Sequence, residues 1–387
     1  MPDGSDELHL KLAEGVASID ASAWDACAGD DNPFVGHTFL AALEESGAVG
    51  QGTGWLSHPL LLEAADGMLL GAVPLYIKSH SYGEYVFDQG WADAYERAGG
   101  SYYPKLLAAV PFTPVPGPRL LVRPGPELRE NRRHLAEGLL AAVGQLGVSS
   151  LHVNFTVPED GVALAEAGFM CRVATQFHWQ NAGYGSFEDF LGQLASRKRK
   201  MIRKEREAAT RHGLRLFRLT GDDIKPAHWD SFFRFYIDTS ERKWGGAYLT
   251  QAFFHRIGET MADRILLVLA EHDGEPVAGA LNLIGRDALY GRNWGSDGAF
   301  RFLHFEACYY QAIEFAIERG LKRVEAGAQG EHKIARGYLP VETESFHHVA
   351  DKRFAAAVAD FLKRERRAVE AERAALAEYS PFRREDG

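Results

Sequence analysis

The chain has 387 residues, 46% hydrophobic and 25% charged, which fits a folded protein with room for two cores and argues against general disorder. A formal net charge of −10 argues against a whole-surface nucleic-acid binder and leaves only a local basic patch. Cys27, Cys171 and Cys308 share no paired spacing and no histidine pattern, which argues against disulfides and zinc and fits a reducing compartment. With no basic-then-apolar leader and no apolar run of bilayer length, a soluble cytoplasmic protein with no membrane span is expected.

Asn32-Pro33 marks a turn, and residues 36–46 carry helical apolar spacing through Phe39, Leu40 and Leu43. The run 59–78 reads as a hairpin about Asp66-Gly67. Residues 79–123 hold Tyr82, Tyr85, Phe87, Trp91, Tyr95, Tyr102 and Tyr103 among charges and prolines, the composition of a structured loop over a pocket. A helix over 128–145 ends at Gly147, followed by a strand at 149–155, a helix at 159–167 and a strand at 170–180. The second half repeats this order: a long helix over 187–212, a strand at 214–220, and helices at 226–243 and 251–262. A hairpin about Asp273-Gly274 follows, then a strand at 288–294, a helix at 303–319 ending at Gly320, and a strand at 322–326. The last segment after Asp351 reads as one charged helix.

The repeat predicts two copies of one α/β unit, residues 1–180 and 186–387. Gly67 to Gly147 spans 80 positions and Gly274 to Gly320 spans 46, so the first copy carries 34 more, assigned to the aromatic segment as a specificity insert. After the strand at 322–326, the loop to Gly337 carries Gln329, His332, Lys333 and Arg336 among glycines. Lys333 is the cation there suited to a developing oxyanion. The helix segment SRKRKMIRKERE places Arg199, Arg203 and Arg206 at i, i+4 and i+7, a face suited to phosphate. A solvated face with internal ion pairs is the alternative. Asp88, Trp91 and Asp93 are suited to orienting an attacking amine, and Tyr290, Arg292, Asn293 and Trp294 could line the same cleft. No Ser-His-Asp or Cys-His arrangement stands out, which disfavours covalent catalysis.

The element order resembles the acetyltransferase-type (GNAT) fold in tandem, with mixed sheets flanked by helices. The stretches NPF at 32–34, HSYGEYVFD at 80–88, YYPKL at 102–106 and PFTPV at 111–115 resemble a peptidoglycan biosynthesis/recognition group within the Fem-like aminoacyl-tRNA-dependent ligases. Arg199 three residues before Ile202, and Gly337 four after Lys333, match the Fem enzymes more loosely. His332 and Arg336 depart from the aromatic residues expected beside that lysine and glycine. The resemblance implies an acyl- or aminoacyltransferase that forms an amide bond on an amine-bearing, cell-wall-precursor-like or other small-molecule acceptor. The implied donor is aminoacyl-tRNA or acyl-CoA, and no tightly bound cofactor or metal is expected. Catalytic roles fall on Lys333 and Asp88. Substrate binding falls on Arg199, Arg203, Tyr85, Trp91, Lys105, Arg292, Trp294, Gln329, His332 and Arg336. An ordinary CoA enzyme would need a glycine-rich pyrophosphate turn, but Arg301 is followed by Phe302, Leu303, His304 and Phe305. A non-catalytic module for an anionic ligand is the other reading.

Overall fold

The computed structural model describes residues 8–211, 213–244, 246–298, 300–327 and 330–383, so Gln329 lies outside the described residues. The chain divides into one unit of 1–174 with 342–370 and another of 175–341 with 371–387. Residues 342–370 thus pack with the first half, not with the second as the linear order suggested.

In the first unit, Leu60–Ala64 and Leu69–Val73 pair antiparallel about the expected turn, with Gly67 at φ 85°. Pro74 follows, and a residue without an N–H cannot carry a ladder onward. The continuing strand Leu75–Lys78 pairs with Lys105–Ala108 instead, and Lys105–Ala108 runs parallel to Ser150–Thr156. The hairpin strands join Leu8–Leu12 and Leu121–Val122 in a separate four-stranded sheet. The helix Leu128–Leu146 presents Leu135 and Leu139 to Leu62, Val73, Leu106 and Val153, and ends on Gly147 in the left-handed conformation. The aromatic segment is therefore no single insert, because a core strand, Lys105–Ala108, runs through it. Its remainder includes the helix Gln89–Arg97.

In the second unit, Arg215–Leu219, Ile265–His272, Glu275–Ile284 and Ala288–Ser296 lie side by side and antiparallel. Asp273 and Gly274 both take positive φ, 52° and 85°, the geometry of a tight two-residue hairpin. Arg323–Glu325 pairs in parallel with Ala288–Tyr290. Each unit thus runs hairpin, strand, helix, left-handed glycine and parallel strand, with Gly320 at φ 66° matching Gly147 at φ 63°. The predicted helix 187–212 is two, Phe187–Gln193 and Ser196–Ala209. They break where Ala195 N–H donates to the Pro381 carbonyl at 2.9 Å. The predicted helix 303–319 contains a π-helical turn, Glu306–Tyr310, before Gln311–Glu318. Among the described residues no helix is long and apolar enough to cross a membrane.

Candidate functional site

In the second unit the parallel pair ends at Tyr290 opposite Glu325. Beyond it, Gly291–Ser296 keep their neighbour on only one side, Glu275–Ile284, and the chain after Glu325 leaves the sheet. The register on that neighbour shifts between Leu281 and Asn282, so that Asn293 and Gly291 are paired and Arg292 bulges. Bulges re-aim a side chain, and here the side chain is the arginine named from the sequence. A cavity of about 80 Å³ opens at this place, walled by Asn282, Arg292, Trp294, His304, Cys308 and Tyr309. Typical small-molecule sites measure about 300–1,000 Å³, so this one suits the reacting end of a ligand rather than a whole one.

The loop predicted after the strand is a short 3₁₀ helix, Glu331–Arg336, closed by Gly337 at φ 92°. His332 Nε2 lies 3.0 Å from the Tyr309 hydroxyl, which ties the loop to the cavity wall. Burial, with Arg336 and Lys333 nearby, holds the His332 imidazole below its ordinary range and so neutral at pH 7. Lys333 is 2% exposed and donates to the Gly327 carbonyl at 3.0 Å. Burial pushes its ammonium down to about 8, and its electrostatic neighbour Cys308 is a cavity wall. Arg292 and Trp294 thus line the opening, and His332 and Lys333 stand behind its wall, His332 against Tyr309 and Lys333 near Cys308.

Arg336, expected to bind substrate, is occupied within the protein. It grips Glu205 at 2.7 and 3.1 Å, donates to the His332 carbonyl at 2.7 Å and stands 3.5 Å over the Phe305 ring. Glu205 also accepts from the Tyr310 hydroxyl. The interleaved acid of the basic helix therefore faces inward, where it anchors the loop. Of the arginines on that helix, Arg206 is held by Glu306 and Glu314, and Arg203 pairs with Glu188 on the surface. Arg199 is half-buried. The three do not form one free cationic face.

The first-unit residues form a different arrangement. Lys105 is fully buried and donates to Ser81 Oγ at 2.7 Å, to Glu84 Oε2 at 2.8 Å and to Asp88. Asp88 accepts from the Tyr102 hydroxyl at 2.7 Å. Burial alone would raise the Asp88 carboxyl, but the Lys105 ammonium outweighs it and holds the group well below the usual range. Glu84, nearly as buried, is pushed up to about 7 by desolvation, and Lys78, 3.8 Å from it, down to about 7. His152 and His347 meet Nδ1 to Nδ1 at 2.7 Å, and burial drives both down, His152 to about 3. Trp91 stacks edge-on at 5.0 Å against His347. Lys105, Asp88 and Trp91 are thus interior groups, at variance with the substrate contacts expected of Lys105 and Trp91 and the catalytic role expected of Asp88; Tyr85 is half-buried, at φ 59°. Sequence reading passed over Cys308, Tyr309 and His304, whose common signal was only a 4–5-residue spacing on one helix. Among the described residues no cluster of His, Cys, Asp or Glu is arranged to hold a metal ion.

The family model described as FemAB-like, peptidoglycan biosynthesis/recognition, matches residues 15–384. FemX superposes with a TM-score of 0.55 at 12% identity, covering 91% of this chain and 100% of its own. The C-terminal domain of a putative lysylphosphatidylglycerol synthetase from Agrobacterium fabrum gives 0.54 at 10%, over 89% and 96%. L-PGS from Bacillus licheniformis gives 0.51 at 11%, over 87% and 97%. No curated protein matches the chain. At these identities the likeness is one of fold, and the fold is the tandem acetyltransferase type.

Proposed function

The chain belongs to the FemAB-like peptidoglycan biosynthesis/recognition family, and from that premise we propose that it transfers an acyl or aminoacyl group to an amine, forming an amide bond. The observation that carries this reading is the opening past Tyr290 and Glu325, with a buried lysine and a neutral histidine beside it. An acceptor amine attacks the activated carbonyl carbon; a C–N bond forms, the donor's C–O or C–S bond breaks, and the nitrogen loses a proton. Lys333, protonated below about pH 8, offsets the negative charge developing on the carbonyl oxygen. His332, uncharged at pH 7, accepts the amine proton directly or through the Tyr309 hydroxyl. Arg292 and Trp294 orient the reacting end.

The bulk of Phe302, Leu303, His304 and Phe305 at the start of the helix favours a donor other than a CoA thioester, with aminoacyl-tRNA the reading preferred here and a cell-wall-precursor-like amine as acceptor. The test is a transfer assay with radiolabelled aminoacyl-tRNA, or with acetyl-CoA, and a nucleotide-linked muropeptide. Label should move to the peptide amine from the tRNA ester, and Lys333→Met should lower single-turnover rates roughly 10²–10³-fold with little change in affinity. Transfer from CoA alone would reverse the donor assignment. Tight muropeptide binding without transfer from either donor would make the protein a recognition module.

A further inference from the structure

A groove of about 470 Å³ lies within the first unit, apart from any group used in the transfer scheme. Its floor is apolar, with Met170, Cys171 and Leu362, and its rim is basic, with Lys363, Arg366 and Arg367 against the single carboxylate of Glu370. The helix that supplies the rim, Lys352–Ala377, has already committed its other acids nearby. Glu365 is gripped by Arg172 at 2.7 and 2.8 Å, and Asp360 pairs with Lys363 at 3.2 Å. Arg366 reaches inward to the Cys171 thiol, which itself donates to Glu344 at 3.5 Å, and burial raises that thiol to about 12, so it is no nucleophile. Among the described residues neither Arg366 nor Arg367 has a carboxylate within ion-pair distance.

We propose that this groove is a binding site for a small, single-chain anionic amphiphile, its phosphate or carboxylate head between Arg366 and Arg367 and its hydrocarbon on the Met170–Leu362 floor. Arginine forks match either head bidentately, and the cavity volume falls in the range of about 300–1,000 Å³ usual for small-molecule sites. The lining joins apolar side chains to cationic ones, so the site matches both halves of the ligand. The local excess of positive charge in a chain of net −10 sets the sign of that ligand.

The probe is dodecyl phosphate below its micellar concentration, titrated calorimetrically into the full chain. One-to-one binding is expected, weakened about tenfold or more by Arg366→Ala with Arg367→Ala, since each charged hydrogen bond lost costs about that much. Ala359→Trp, which fills the groove without altering charge, should abolish binding while thermal unfolding stays unchanged. Dodecanol and inorganic phosphate should each bind far more weakly than the joined molecule. Equal binding of dodecanol, equal binding of inorganic phosphate, or indifference to both variants would overturn the proposal. Binding confined to phosphatidylglycerol vesicles, with none to the monomer, would also overturn it and make the face a membrane contact.

Discussion

Lys105→Met separates an interior ion-pair network from a substrate contact. The ammonium is fully buried and answers for two carboxylates, Glu84 and Asp88, that are each 3% exposed. In the variant Asp88 keeps the Tyr102 hydroxyl, whereas Glu84 keeps only Lys78 at 3.8 Å. Breaking a buried pair by removing one partner costs about 3–5 kcal/mol, because the remaining charge stays desolvated. At roughly 2–4 °C per kcal/mol for a domain of this size, the first unit's melting transition should fall by roughly 6–20 °C. The loss should depend on pH. Glu84 has a folded value raised to about 7, so whatever stability it contributes is present in acid and lost as pH rises through about 7. Removing Lys105 raises that value further, so the deficit should be smaller at pH 5.5 than at pH 8. Scanning calorimetry at both pH values reads this, and Glu84→Gln with Asp88→Asn in the same background should recover part of the loss. A Lys105→Met protein that melts like the parent yet loses acceptor binding would refute the argument and return Lys105 to the substrate-binding role read from the sequence.

Four further outcomes are expected. Activity that needs the Lys333 ammonium should fall as pH rises through about 8, and Lys333→Arg should move that limb to higher pH in a pH–rate profile. Glu205→Gln should cost about 3–5 kcal/mol in denaturant titrations, since Arg336 would lose its bidentate partner in the interior. Arg203→Ala should cost at most about 1 kcal/mol, because its pair with Glu188 is exposed on both sides, and should weaken a phosphate-bearing ligand in calorimetry if that arginine binds one. Gly295→Ala should destabilise by at least about 1–3 kcal/mol in thermal melts, as its Cβ would sit 2.2 Å from the Phe235 carbonyl carbon and oxygen.

What could be read in advance was local. Asp66-Gly67, Asp273-Gly274, Gly147 and Gly320 announce themselves because their backbone conformations select the residue. The lysine–glycine loop was found because it sits just after a strand with its glycines in view. The destination of a charge was not legible. Arg336 and Glu205 are 131 positions apart, and nothing in either neighbourhood says that the two cancel. The same holds for Lys105, whose chain neighbours are apolar and whose carboxylate partners lie 17 and 21 residues upstream. Helix continuity misled for a related reason. The break after Gln193 comes with a contact from Pro381, and the local sequence offers only Gly192 as a hint of it.

The discontinuous makeup of the first unit bears on how the protein is made. His152 finds His347 only across 195 residues, and the strand beside Ser150–Thr156 is drawn from beyond the whole of residues 175–341. At roughly 5–20 residues per second, translation leaves a gap of roughly 8–34 s between the emergence of the two parts. Throughout that interval the nascent chain carries Leu151, Val153 and their neighbours on an unpaired edge, a template for pairing with other chains. The later segment waits as well, since Leu376 belongs to its core and the Pro381 carbonyl accepts from Ala195. Both units are thus completed only by the stretch after residue 341, and the unfinished edge is where a chaperone would be needed.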